Sequence, residues 1–195
     1  METYRNRKVV SAKSRKEWRK WLEKNHQTES SVWLIIFHKC SEVKSVYYDE
    51  AVEEAICFGW IDSIANKRDS ESKYQLFSRR KPGSKWSRLN RQRSAKMISQ
   101  GMMTPAGQAL IDRAMKEGTW EALEQVQSAV IPDDLRKLFN KNKTALKNFQ
   151  AFPPSSKRII LEWILNARQP QTRERRIAQT VELAAKNIKA NHYRQ

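Results

Sequence analysis

The run SVWLIIFHK, Ser31 to Lys39, constrains this chain more than any other stretch. It is too short for an ordinary helix, and its β-branched and aromatic side chains lose freedom in a helix but pack well on a pleated surface. It therefore predicts a central strand. A central strand needs neighbours, and KYQLFSRR, Lys73 to Arg80, supplies one. There Tyr74, Leu76 and Ser78 fall on one face and Gln75, Phe77 and Arg79 on the other. A short third strand is expected around Trp60-Ile61.

Most of the remaining chain follows a helical period. Ser14 with Glu17 forms a capping box ahead of Trp18, Trp21 and Leu22, which predicts a helix to about Asn25. Asp49 is placed to cap a second helix, with Val52, Ala55 and Ile56 inward and Gly59 at the left-handed position that stops it. Ser84 is expected to start a third, carrying Trp86, Leu89, Met97 and Ile98 to Gly101. Thr104-Pro105 starts a fourth, with Leu110, Ile111, Ala114 and Met115 inward. Trp120, Leu123, Val126 and Val130 predict another helix over residues 119–130.

After IPDD the pattern is helical throughout, through Leu135, Leu138 and Phe139, then Leu146 and Phe149, then Ile159, Ile160, Trp163 and Ile164, and last Ile177, Val181, Ala184 and Ile188. The fold class is therefore α+β and mostly helical, with a small β-sheet in the N-terminal part and an all-helical C-terminal part. The domain boundary is expected at IPDD, giving residues 1–131 and 132–195. With seven tryptophans and 39% apolar residues, 195 residues can bury a substantial core.

Charge narrows the function classes. The net +17 is concentrated in two blocks, residues 67–96 and 132–195, each carrying +9, while residues 1–66 and 97–131 carry +1 and −2. Such asymmetry attracts anions without specifying which. No apolar run is long enough to span a membrane and no hydrophobic stretch follows the basic N-terminus, so a cytoplasmic protein is expected. Cys40 and Cys57 make neither a disulfide framework nor a CxxC pair, and His26, His38 and His192 share no metal-binding spacing. No P-loop or GxGxxG follows a strand. Neither a metal nor a cofactor is expected.

Two blocks hold the candidate site residues. In EAICFGWIDS, Trp60 and Asp62 follow the stop at Gly59, and Asp62 is placed to pair with Arg79 or Arg80 from the next strand. In FSRRKPGSKWSRLNRQR, Arg79, Arg80 and Lys85 surround a loop feeding a helix N-terminus, where free N–H groups and the helix dipole favour an anion. Ser87 and Asn90 add hydrogen-bonding groups, and Trp60 with Trp86 could wall a base or sugar. Each feature has a structural alternative: tryptophans at element junctions pack into cores, and charge runs solvate surfaces. Arg173, Arg175 and Arg176 crowd the start of the last helix, where a carboxylate or an outside anion should compensate them.

These blocks, followed by FPPSSKRIILEWILNARQPQTRERRIAQTVELAAKN, resemble in order the bacterial YdeI/OmpD-associated family of bacteriocin-protection proteins, nearly throughout from about Ser14. The resemblance implies that residues 132–187 form the helical region named for the family and that residues 58–62 and 85–87 with Asn90 are N-terminal signatures. It implies a protective role and supplies no reaction, cofactor or catalytic residue. This chain has Ser63 where the family often has glycine.

Three functions are consistent with these residues. One is a non-enzymatic module that holds an anionic small molecule in a basic, aromatic-lined pocket of Trp60, Asp62, Arg79, Arg80, Lys85, Trp86, Ser87 and Asn90. A second is an enzyme acting on a phosphorylated or nucleotide-like substrate, with Asp62 as base or Cys57 as nucleophile beside His38. The third is nucleic-acid binding through the Arg-rich blocks. Neither a protein partner nor the identity of the anion can be read from the residues.

Overall fold

A computed structural model describes residues 2–191, the side chains of Gln125 and Gln127 excepted, and the chain divides into two compact units, Met1–Glu121 and Ala122–Gln195. The fold is α+β, with every strand in the first unit and a helical second unit. The first unit contains, in order, β1 (Thr3–Tyr4), β2 (Arg7–Ser11), α1 (Arg15–Asn25), β3 (Ser31–Phe37), α2 (Tyr48–Cys57), β4 (Trp60–Lys67), β5 (Ser72–Arg79), α3 (Arg88–Ser99) and α4 (Pro105–Lys116).

The run from Ser31 forms the central strand, as its composition required: the sheet order is β1-β2-β3-β5-β4. β2 lies parallel to β3, joined to it through α1, and every other neighbouring pair is antiparallel. On one face Val32, Leu34, Ile36 and Phe77 meet Trp18, Leu22, Val52, Ala55 and Ile56 of α1 and α2 in the main core. On the other, Trp33, Ile35, Leu76 and Val9 form a smaller cluster under Tyr4 and Tyr74.

Several elements differ from expectation. β1 and β2 were invisible in the sequence because four of residues 2–8 are charged and strands of two and five residues show little alternation. The strand at Trp60 is eight residues long, not short; a bulge between Asp62 and Ala65 breaks the period that would have revealed it. α3 begins at Arg88, where the Ser87 Oγ accepts the Asn90 N–H at 3.2 Å, while the Ser84 hydroxyl donates to the Lys81 carbonyl. Leu89, Ile98 and Met115 are exposed rather than inward. Asp49 does not cap α2; Glu50 reaches back to the Tyr47 N–H at 3.2 Å, and Asp49 pairs with Arg93.

Gly59 has φ +73 and ends α2 as expected. The neighbouring end of α2 is held by α4, because Thr104 donates both its N–H and its hydroxyl to the Cys57 carbonyl at 3.3 and 2.5 Å. Gly107 is required there, since a Cβ would lie 2.3 Å from that same carbonyl oxygen.

In the second unit the helix expected over residues 119–130 shrinks to α5 (Glu124–Gln127), and Ala129 takes φ +53. α6 (Asp133–Lys141), α7 (Lys143–Ala151), α8 (Pro154–Leu165) and α9 (Pro170–Ala185) pack Leu135, Phe139, Phe149, Ile160, Ile164 and Ile177 together. The cations that start α9 are compensated from within. Arg173 forms a two-pronged pair with Asp134 at 2.6 and 3.1 Å, holding that carboxyl below its usual range. Arg176 donates to the Trp163 carbonyl at 2.5 Å, one of the groups that the end of α8 leaves unpaired. Arg173 and Arg176 thus find acceptors within the unit, while the Arg176 Nε is buried with no partner among the described residues.

Candidate functional site

At the start of α2, the Tyr48 hydroxyl donates to Asp62 Oδ2 on β4 at 2.5 Å. Burial, and then that bond to a carboxylate, push the phenol well above its ordinary pKa. The Lys73 ammonium lies 4.8 Å from the Tyr48 ring centroid. Arg93, buried on α3, reaches Asp49 at 2.5 Å and the Asn90 Oδ1 at 3.1 Å. A polar cluster thus joins the first turns of α2 and α3 to the helix-covered face of the sheet.

Arg80 follows β5 and is only 7% exposed. Its N–H donates to the Gly59 carbonyl at 2.9 Å, its guanidinium lies 3.7 Å from the Trp86 ring centroid, and Nη2 donates to the Lys85 carbonyl at 2.8 Å. Its Nε is buried with no partner among the described residues. Burial pulls the guanidinium down to about 10, partly offset by the charge of Asp62.

The structure gathers Arg80, Lys85, Trp86, Ser87 and Asn90 around the start of α3. The expected pair of Asp62 with Arg79 or Arg80 does not form. Asp62 stands opposite Phe77 in the ladder while Arg79 stands opposite Trp60, two residues along, roughly 6 to 7 Å away. Asp62 turns to Tyr48, and Arg79 donates instead to the carbonyls of Glu29, at 2.8 Å, and Gln27, closing the turn after α1. Both indoles belong to the core. Trp60, 1% exposed, donates to the His26 carbonyl at 3.2 Å, and Trp86, 2% exposed, packs 4.9 Å from the Trp120 ring.

Sequence reasoning missed Tyr48, Lys73 and Arg93, which reach the site only through register and helix docking. It also missed the ion network that fastens α1 to α2. Glu54, wholly buried, accepts from Arg15 Nε at 2.5 Å and Arg19 Nη1 at 2.7 Å, and Glu53 holds Arg15 and Lys96 at 2.9 and 2.6 Å. The available signal was a pair of carboxylates, Glu53 and Glu54, set between the apolar Ala51-Val52 and Ala55-Ile56-Cys57. Cys57 lies beside this network, where burial and then Glu54 push its thiol up to about 11, opposite to what a nucleophile requires.

Among the described residues, no group of three His, Cys, Asp or Glu side chains is placed to hold a metal ion; His192 lies outside them. No described helix is long and apolar enough to cross a membrane.

Residues 128–187 match the family model described as bacteriocin-protection, YdeI or OmpD-associated. That confirms the resemblance for the helical region but not for the nearly full length over which it was expected. Residues 10–110, which hold every candidate site residue, match a different model, a domain of unknown function (DUF8412). No curated protein and no solved structure matches the chain.

Proposed function

We propose, for a chain that belongs to the DUF8412 family of domains of unknown function, that its N-terminal unit is a non-enzymatic module binding a small anionic ligand. The observation that carries this reading is Arg80: a nine-tenths buried guanidinium with a partnerless Nε, beside the N-terminus of a twelve-residue helix. A buried ion without a carboxylate partner is expensive, and the free N–H groups of a helix N-terminus favour the same negative charge. Asp62 and Tyr48 set the polar edge of the site, while Trp60 and Trp86 support it from the core. The family description attached to residues 128–187 supports a protective role in a bacterium, and the reading extends to a cytoplasmic protein.

Thermal unfolding in the presence of phosphate, sulfate and phosphorylated metabolites at about 150 mM salt tests this proposal. A ligand at one hundred times its Kd stabilises the folded state by about 2.7 kcal/mol. That gain should be present in the wild type and absent in Arg80→Met. Stabilisation by oligonucleotides alone, falling steeply with salt, would move the function to nucleic-acid binding.

A further inference from the structure

The N-terminal unit has a second basic region, away from Arg80. A groove of about 480 Å³ is lined by the start of α1 and the loop from His38 to Tyr47. A neighbouring groove of about 550 Å³ shares Phe37, His38, Lys39, Tyr47 and Glu50 with it. Each is within the size range of small-molecule sites.

The first groove is unbalanced in charge. Five cations, Lys13, Arg15, Lys16, Lys39 and Lys44, line it against two carboxylates, Glu42 and Glu50. Arg15 is engaged by Glu53 and Glu54, and the Glu50 carboxylate accepts the Tyr47 N–H. A neutral N–H leaves the charge of Glu50 in place, and the lining as a whole carries three positive charges in excess. None of these lysines has an ion-pair partner among the described residues, and Lys39 has only the Tyr47 ring, 5.9 Å from its ammonium.

Lysines scattered over a convex surface are solvated and repel little. Four converging on one concavity raise the potential there, because the low-dielectric walls focus the field. Each phosphoryl group carries about 1.5 to 2 negative charges at neutral pH, so two of them match the excess. We infer that this groove binds a small molecule bearing two phosphoryl groups, held by Lys39 and Lys44 from the loop and Lys13 and Lys16 from the start of α1. This site stands independently of Arg80.

Titration calorimetry with inorganic pyrophosphate on the full chain at about 150 mM salt tests it. In an Arg80→Met background, which removes the other anion site, pyrophosphate should still bind, and adding Lys39→Gln/Lys44→Gln should weaken that binding at least about tenfold. Lys39 and Lys44 are exposed, so unchanged thermal unfolding of the double variant checks that the fold is intact. In that background, undiminished affinity after Lys39→Gln/Lys44→Gln, equal binding of sulfate, or no binding of pyrophosphate would overturn the inference. Binding lost only in Arg80→Met would overturn it too, while supporting the Arg80 site.

Discussion

Each unit lays an arginine on an indole and gives one of its N–H groups to a main-chain carbonyl. Arg80 lies on Trp86 and donates to the Lys85 carbonyl; Arg176 lies 5.0 Å from the Trp163 ring centroid and donates to the Trp163 carbonyl. Their surroundings differ. Arg176 is half-exposed, and its neighbour Arg173 has Asp134 as a carboxylate partner. Arg80 is nine-tenths buried and has neither advantage. Nε is buried and unpartnered in both, but water reaches the rest of half-exposed Arg176, whereas nearly the whole of Arg80 has lost its hydration, which amounts to several kcal/mol. Burial, more than membership of a basic run, separates a cation explained by folding from one that is not.

The sharpest way to test that contrast is to create the unpaired state deliberately. Glu54 is wholly buried and receives Arg15 and Arg19, so Glu54→Gln should lower the unfolding free energy by about 3 kcal/mol in a urea titration. A loss below about 1 kcal/mol would mean that the two arginines simply turn to water.

Arg80→Met should act in the opposite direction. It keeps an apolar stem on Trp86 while deleting a buried charge, so stability should equal the wild type or exceed it by about 1 kcal/mol. A loss of about 2 kcal/mol, the size of a desolvated cation–π contact, would break the comparison by making Arg80 structural.

Asp134→Asn should cost only about 0.5 to 1 kcal/mol, because the pair it removes is partly solvated. The pH dependence sharpens this. A carboxyl held below its unfolded value of 3.8 stabilises above that value and loses its contribution as pH falls through the lowered pKa. The gap between variant and wild type should therefore close in acid.

The smallest effect concerns Cys57. With its thiol raised from 9.0 to about 11, alkylation at neutral pH should label exposed Cys40 while Cys57 waits for unfolding. Rapid labelling of Cys57 in the folded protein would revive the enzyme reading.

What was legible in the sequence follows the same division between local and non-local causes. β3, β5 and the helix stop at Gly59 were readable because each depends on its own residues. The caps at Ser14 and Thr104 were readable for that reason too. β2 and most of β4 were not, since the charged start of the first and the bulge in the second erase the alternation. At the site, Arg80, Ser87 and Asn90 could be named from a basic loop feeding a helix. The indoles of Trp60 and Trp86 could not be distinguished from ligand walls until the core formed around them. Tyr48 carried no signal at all, because its partner Asp62 is fourteen residues away and is brought to it by strand register.

The order of the sheet also says how the N-terminal unit must be assembled. β4 and β5 pair across a short turn, and β2 meets β3 through α1, with Val9 opposite Trp33, 24 positions later. β3 and β5 meet across much longer stretches, from Phe37 opposite Ser72 to Ser31 opposite Ser78, 35 to 47 positions apart. Because the entropy of closing a loop must be met before a distant contact rewards it, the sheet consists kinetically of two early halves and one late seam. The strand in the middle of the finished sheet, β3, is thus the edge of its own half until β5 docks on it, and the central hydrophobic run lies exposed until then.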